Sequence, residues 1–181
     1  MKALIIIDMQ IGLFTEASPR FDAVNVIDRI NKLSKIFSSN NDKVIFIQHN
    51  GLKGDIFEPD TEGWKFLPEI VRHEGDIVVH KTICDAFFKT ELDPFLRNNN
   101  INEIIITGCA TDFCVDTTIR SAVSKNYNVT VVSDAHTTAD RPHFKADQII
   151  EHHNWVWENL ITPLKPVKVI SFEDLIKGLL P

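Results

Sequence analysis

The chain has no apolar run of the roughly 20 residues needed to span a bilayer. It has no C-x-x-C pair, so Cys84, Cys109 and Cys114 form neither a zinc ribbon nor a thioredoxin-type motif. It has no internal repeat, no low-complexity tract and no stretch that reads as a linker. It also lacks a basic excess: the net charge is -6, which argues against a nucleic-acid partner and against a membrane surface. The opening MKALIIIDMQ sets an acid directly behind its apolar run, unlike a signal peptide. A reduced, cytoplasmic setting is therefore expected, in which the three thiols stay free. A buried free cysteine is most often just a small apolar side chain, and that is the starting reading for each of them.

What is present fits one globular domain over residues 1–181. A chain of this length buries about 70% of its unfolded surface and needs no disulfide or metal to hold a core. Short Ile/Val-rich runs recur at Ala3–Ile7, Val44–Ile47, Ile77–Val79, Ile104–Ile106 and Val129–Val132, with a weaker one at Val167–Ile170. They do not alternate with polar residues, which suits strands covered on both faces. Helical spacing lies between them: Val24, Ile27, Ile30, Leu33 and Phe37 make one face of a helix. Glu91–Leu96 is a short helix with Thr90 as its cap, and Val115–Asn126 and Lys145–Leu160 are longer ones. The last would bury Ile149, Ile150, Trp155, Val156 and Leu160, and Ser171 would cap a final short helix. Strands alternating with helices predict an α/β fold with a mostly parallel sheet and helices on both faces. His49–Pro68, broken by Gly51, Gly54, Pro59 and Gly63, reads as a long loop of the kind that often binds ligands.

In an open parallel α/β sheet, ligands bind beyond the carboxyl ends of the strands. Those ends carry Asp8-Met9-Gln10, Gln48-His49-Asn50, His80-Lys81, Thr107-Gly108-Cys109-Ala110 and Ser133-Asp134. An acid, a lysine and a cysteine thus converge on one edge, the usual parts of covalent acyl chemistry. Cys109 follows Gly108 directly and reads as packed. Cys114 falls in the first turn of the next helix, with Thr111 or Asp112 as cap, where free N–H groups favour a thiolate. Phe14, Trp64 and Phe87 lie in loops beyond strand ends and are candidate pocket walls. Gln10 and His49 are candidate substrate contacts by the same placement.

The stretches IIIDMQIGLF, VVHK and TGCATDFCVDTTIR, with VSDAHTT and EHHN further on, resemble the isochorismatase-like cysteine hydrolases over most of the chain. The resemblance implies a three-layer α/β/α fold whose six parallel strands are ordered 3-2-1-4-5-6. It implies a Cys114–Asp8–Lys81 triad, an oxyanion hole from the backbone N–H groups of Ala110 and Cys114, and a cis Cys109–Ala110 bond. The substrate would be a small amide or ureide cleaved at a C–N bond through a Cys114 thioester. No cofactor is implied, and a homo-oligomer, dimer or tetramer, is expected. By geometry Lys81 fits least easily, because the third strand lies two spacings, about 9–10 Å, from the first. Metal-binding members carry D-x-H after the second strand; here the residues are QHNGLKGD, so no metal is expected. Two other readings stand beside this one: a vinyl-ether hydrolase of the isochorismatase type, against which Cys114 argues, and a non-catalytic binding protein on the same fold.

Overall fold

The computed structural model describes residues 1–163 and 165–179; Leu164, Leu180 and Pro181 of the expected 1–181 domain lie outside the description. Six parallel strands form one sheet: β1 (Lys2–Ile7), β2 (Lys43–His49), β3 (Ile77–Lys81), β4 (Glu103–Cys109), β5 (Asn128–Thr137) and β6 (Lys168–Ile170). Their order is β3-β2-β1-β4-β5-β6, as the resemblance implies. The helices are α1 (Ala23–Ser39), α2 (Leu92–Asn98), α3 (Asp116–Ser124), α4 (Ala146–Glu158) and α5 (Phe172–Leu179).

The three layers follow from the period of two along a strand. Ala3, Ile5 and Ile7 of β1 face one core with Leu92 and Leu96 of α2, Ile119 and Ala122 of α3, and Trp157 of α4. Leu4 and Ile6 face the other, with Val26, Ile30, Leu33 and Phe37 of α1 and Leu175 of α5. The strands are apolar without alternation because both faces are covered. The start of α1 differs from expectation: Val26 is buried and Val24 is exposed, so the stripe runs 26-30-33-37. In α4 the buried residues are Ala146, Ile149 and Trp157, while Trp155 faces outward. Ser171 does accept the Asp174 N–H (3.2 Å), and Thr90 accepts that of Leu92 (3.3 Å).

The sheet reverses direction of winding between β1 and β4, and here the two strands approach closely. Gly108 pairs with Ile7. Its φ of +119° is open to glycine, and a Cβ built there would lie 2.2 Å from the Ile7 carbonyl oxygen. No other residue fits. The pairing of β4 with β5 slips between Ile106 and Gly108, where β5 runs on from Val131 to His136 while β4 moves two residues, so the irregularity lies on β5 beside the end of β4.

Candidate active site

Three strand ends supply the centre. Asp8 follows β1 with φ +47°, a left-handed conformation that aspartate tolerates better than most residues. Its N–H still donates to the Ile47 carbonyl (3.0 Å). This break in the extended chain sets the carboxylate at the end of the β1–β2 pair. Lys81 is the last residue of β3, opposite His49 of β2. Its side chain is long enough to pass the end of β2, so Nζ lies 2.7 Å from Asp8 Oδ2. The ammonium also donates to the Ile83 carbonyl (3.1 Å) and to Cys114 Sγ (3.4 Å). The distance between β3 and β1 is thus covered by the side chain, with the pair fully buried.

Cys114 comes from the segment after β4. The Cys109–Ala110 peptide is cis, as the resemblance implies. The next residues differ from the expected α-helical start: Thr111–Val115 form one π-helical turn, and α3 begins at Asp116. Ala110 stands at the cap position, and neither Thr111 nor Asp112 caps it. Their side chains are engaged elsewhere. The Thr111 hydroxyl is 2.9 Å from His136 Nδ1. Asp112 accepts two bonds from Arg141 (2.6 and 3.0 Å) and one from the Thr138 hydroxyl (2.6 Å). The N–H groups of Phe113 and Val115 both donate to the Ala110 carbonyl (3.1 Å each). These bonds pin the turn, so the Cys114 side chain is held toward Lys81.

The three cysteines are unlike one another. Cys109 is wholly buried, and burial pushes its thiol up to about 12. It packs, as expected. Cys84, in the loop after β3, does not join the core: it is half-buried and lines the same cavity as Cys114, with its thiol coupled to that of Cys114. Two thiols so joined titrate as one unit. The neighbouring Cys114 thiol, together with Lys81 and against burial, draws the Cys84 thiol down to about 6, while Cys84, burial and Asp8 hold Cys114 well above the ordinary range. The pair therefore gives up its first proton easily and its second with difficulty. Burial alone would push the Lys81 ammonium down, but Asp8 and Cys114 more than offset it and the net shift is upward. Lys81 is thus a permanent cation against the sulfur. His49 is held down by burial and by Lys81, so its imidazole is neutral at neutral pH.

A cavity of about 290 Å³ opens over this cluster, lined by Asp8, His49, Cys84, Ala110 and Cys114, with Leu13, Arg20, Phe57, Phe113 and Arg141 around them. Among the sequence candidates, Asp8, His49, Ala110 and Cys114 reach it, and Lys81 lies directly behind Asp8. Gln10, Phe14, Trp64 and Phe87 do not line it. Gln10 is fully buried, donates to the carbonyls of His49 (3.0 Å) and Trp64 (2.8 Å), and accepts the His49 N–H (2.8 Å). It braces the loop that carries His49. Trp64 stacks on His80 and donates to Asn50 Oδ1 (2.7 Å); Phe87 stacks on Tyr127 in the core; Phe14 packs on the α1 side of the sheet. Sequence reasoning missed Cys84, Arg20, Leu13, Phe57, Phe113 and Arg141. The expected loop between His49 and Pro68 does supply Phe57. Among the described residues, no group of three or more His, Cys, Asp or Glu side chains is placed to hold a metal ion. No helix among them is long and apolar enough to cross a membrane.

Comparison with known proteins agrees with this geometry. An isochorismatase family protein of Bacillus subtilis, YrdC, is 30% identical over 74% of this chain and 72% of its own length. The ureidoacrylate amidohydrolase RutB of Caulobacter vibrioides is 33% identical over 46% of this chain and 37% of its own length. The crystal structure of an isochorismatase family protein from Burkholderia thailandensis superposes with a TM-score of 0.78 at 29% identity, covering 98% of this chain and 94% of that one. Residues 2–160 match the Isochorismatase domain, so the chain belongs to the isochorismatase family and is a hydrolase of that fold, with Cys114, Lys81 and Asp8 clustered as a catalytic triad would be.

Proposed function

We propose that the protein hydrolyses a C–N bond of a small amide or ureide, with Cys114 as nucleophile, Asp8 as proton carrier and Lys81 as the supporting cation. One observation carries the reading: Asp8 and Cys114 both touch the Lys81 ammonium at the base of a cavity, which sets the carboxylate beside the thiol. A carboxylate next to a thiol is where the sulfur's proton can go.

The cycle then balances as follows. Asp8 takes the Cys114 proton while Sγ forms a bond to the carbonyl carbon. The carbonyl oxygen becomes an oxyanion, held by the backbone N–H groups of Ala110 and Cys114, which lie at the start of the turn where donors lack an intrahelical acceptor. The C–N bond breaks as Asp8 returns the proton to nitrogen, and the amine leaves. Water attacks the thioester, giving its proton to Asp8. The carbon–sulfur bond breaks, the acid is released, and the thiol is restored. Throughout, Lys81 offsets the charge that passes between the carboxylate and the sulfur.

The test is ammonium or amine release from a panel of small amides and ureides by wild type and Cys114→Ala, with intact-mass detection of an acyl adduct after rapid acid quench. Turnover and the adduct should both require Cys114. Full turnover in Cys114→Ala refutes the covalent route.

A further inference from the structure

Two of the chain's three thiols share one cavity. Cys84 comes from the loop after β3 and Cys114 from the turn after β4, and both line the space over Asp8. The loop and the turn are stitched together on both sides of Cys84. On one side the Lys81 ammonium bridges the Ile83 carbonyl (3.1 Å) and Cys114 Sγ (3.4 Å). On the other, the Thr118 hydroxyl donates to the Cys84 carbonyl (3.4 Å) and accepts the Ala86 N–H (3.2 Å). Thr118 stands four residues past Cys114, on the same side of the helical segment. Backbone bonds therefore hold Cys84 against the turn that carries Cys114.

The proposed hydrolysis makes no use of Cys84. Both thiols are partly exposed, so a small oxidant can reach them. A lysine cation beside them favours the thiolate, which is the reactive form. With the Cys84 thiol drawn down to about 6, the pair carries one negative charge at neutral pH. Cys109 is placed differently. It is fully buried in the core on the α1 side of the sheet, whereas Cys114 packs against the opposite core. It is therefore no partner for either of the other two.

We propose that Cys84 is a resolving thiol for Cys114, and that a peroxide converts the two into a reversible disulfide that closes the site. In the first step a thiolate of the pair attacks hydrogen peroxide. An S–O bond forms, the O–O bond breaks and hydroxide leaves, so the sulfur is oxidised to a sulfenic acid and the peroxide is reduced. The second thiol then attacks the sulfenic sulfur. The S–S bond forms, the S–O bond breaks, and the hydroxyl departs with the thiol proton as water. Either cysteine can be oxidised first, and the product is the same. A dithiol reverses the reaction by exchange, becoming a disulfide itself as Cys84 and Cys114 regain their protons. Without a thiol at position 84, the sulfenic acid of Cys114 is open to a second peroxide and becomes a sulfinic acid, which thiols do not reduce. The disulfide rests on the placement of the two thiols; only its effect on turnover rests on the proposed C–N hydrolysis.

The test reads thiols, so it does not depend on turnover. Reduced protein is treated with hydrogen peroxide at neutral pH, unfolded, alkylated and mapped by peptide mass. In wild type a peptide pair joined through Cys84 and Cys114 should appear, Cys109 should stay free, and dithiothreitol should return both thiols. In Cys84→Ser and Cys84→Ala, Cys114 should instead gain oxygen as the sulfinic acid, and dithiothreitol should not restore it. Cys109→Ser should cross-link as wild type does. The joined peptide should form at least about tenfold faster in the folded chain than in urea, because the fold orients the pair. Peroxide that leaves Cys114 unchanged, or takes it to the sulfinic acid in wild type without the joined peptide, overturns the inference. Equal rates in the folded chain and in urea, or joined peptides only between two chains, overturn it as well. Recovery of Cys114 in folded Cys84→Ala equal to that in wild type removes the resolving role. A joined peptide in a protein whose turnover does not need Cys114 would support this inference while the hydrolase reading fails.

Discussion

Replacing Lys81 with Met removes a charge while keeping most of the side chain's length. Nζ lies 3.4 Å from Cys114 Sγ and 2.7 Å from Asp8 Oδ2. At an effective dielectric of about 20, a cation at that first distance favours a thiolate by about 5 kcal/mol. The carboxylate beside the sulfur opposes it and cancels much of that gain. A net loss of roughly 1–3 kcal/mol follows, or about 5–150-fold less thiolate at neutral pH. The assay is the rate of iodoacetamide alkylation against pH for wild type and Lys81→Met, with the label assigned to Cys84, Cys109 or Cys114 by peptide mass. The Cys114 profile should move to higher pH, and Cys109 should stay unlabelled in both proteins. Breaking a buried ion pair also costs stability, typically about 3–5 kcal/mol, so the variant is compared only where its folded baseline is intact. Superimposable Cys114 profiles would refute the reasoning: Lys81 would then be a structural partner of Asp8 and no more.

Cys84→Ala removes the neighbouring thiol that helps hold the Cys114 thiol up, so the Cys114 alkylation profile should shift to lower pH, by less than about one unit; turnover should stay within about tenfold, and a profile that does not move would show the two thiols to be uncoupled. His136 is wholly buried, bonded to Thr111 and Asn154, and burial holds its imidazole down to about 4. Its unfolded value is near 6.5, so between those values only the unfolded chain takes up the proton. The associated stability is complete above about pH 6.5 and is lost as pH falls toward 4, with about 2 kcal/mol gone by pH 5. Urea unfolding at pH 7.5 and 5.0 should show that loss in wild type and not in His136→Gln; parallel losses would remove the assignment.

The layers were legible because a doubly covered parallel sheet leaves a plain mark: Ile and Val runs such as Ala3–Ile7 that do not alternate. The site edge was legible because the topology of such sheets puts function at strand ends, and Asp8, Lys81 and the residues after β4 all stand there. What escaped is what strand ends do not determine. Val24 and Trp155 look apolar in a helical pattern, yet the turn before α1 and the exposed side of α4 set the phase, and a period alone does not. Gln10 stands two residues from Asp8, and nothing local says that one side chain faces the cavity while the other braces His49. Arg20 lies in the loop between β1 and α1, held by the Leu13 carbonyl, a contact with no sequence period behind it.

Lys81 and Cys84 show how the two kinds of information combine. The sheet order makes β3 distant from β1, and from strand spacing alone the lysine should fall short. The reach is possible because Lys81 is the last residue of β3, where its side chain can cross the open end of β2 instead of a packed strand. The chain then turns, and the Lys81 ammonium donates to the Ile83 carbonyl, which draws the following loop in over the site. That same turn delivers Cys84, one residue later, to the cavity beside Cys114. The cation and the second thiol are therefore consequences of one local event. A change that lengthens the segment between Lys81 and Cys84 would loosen both, whereas Cys84→Ala touches only the thiol, so the two effects on Cys114 can be told apart by the alkylation profiles alone.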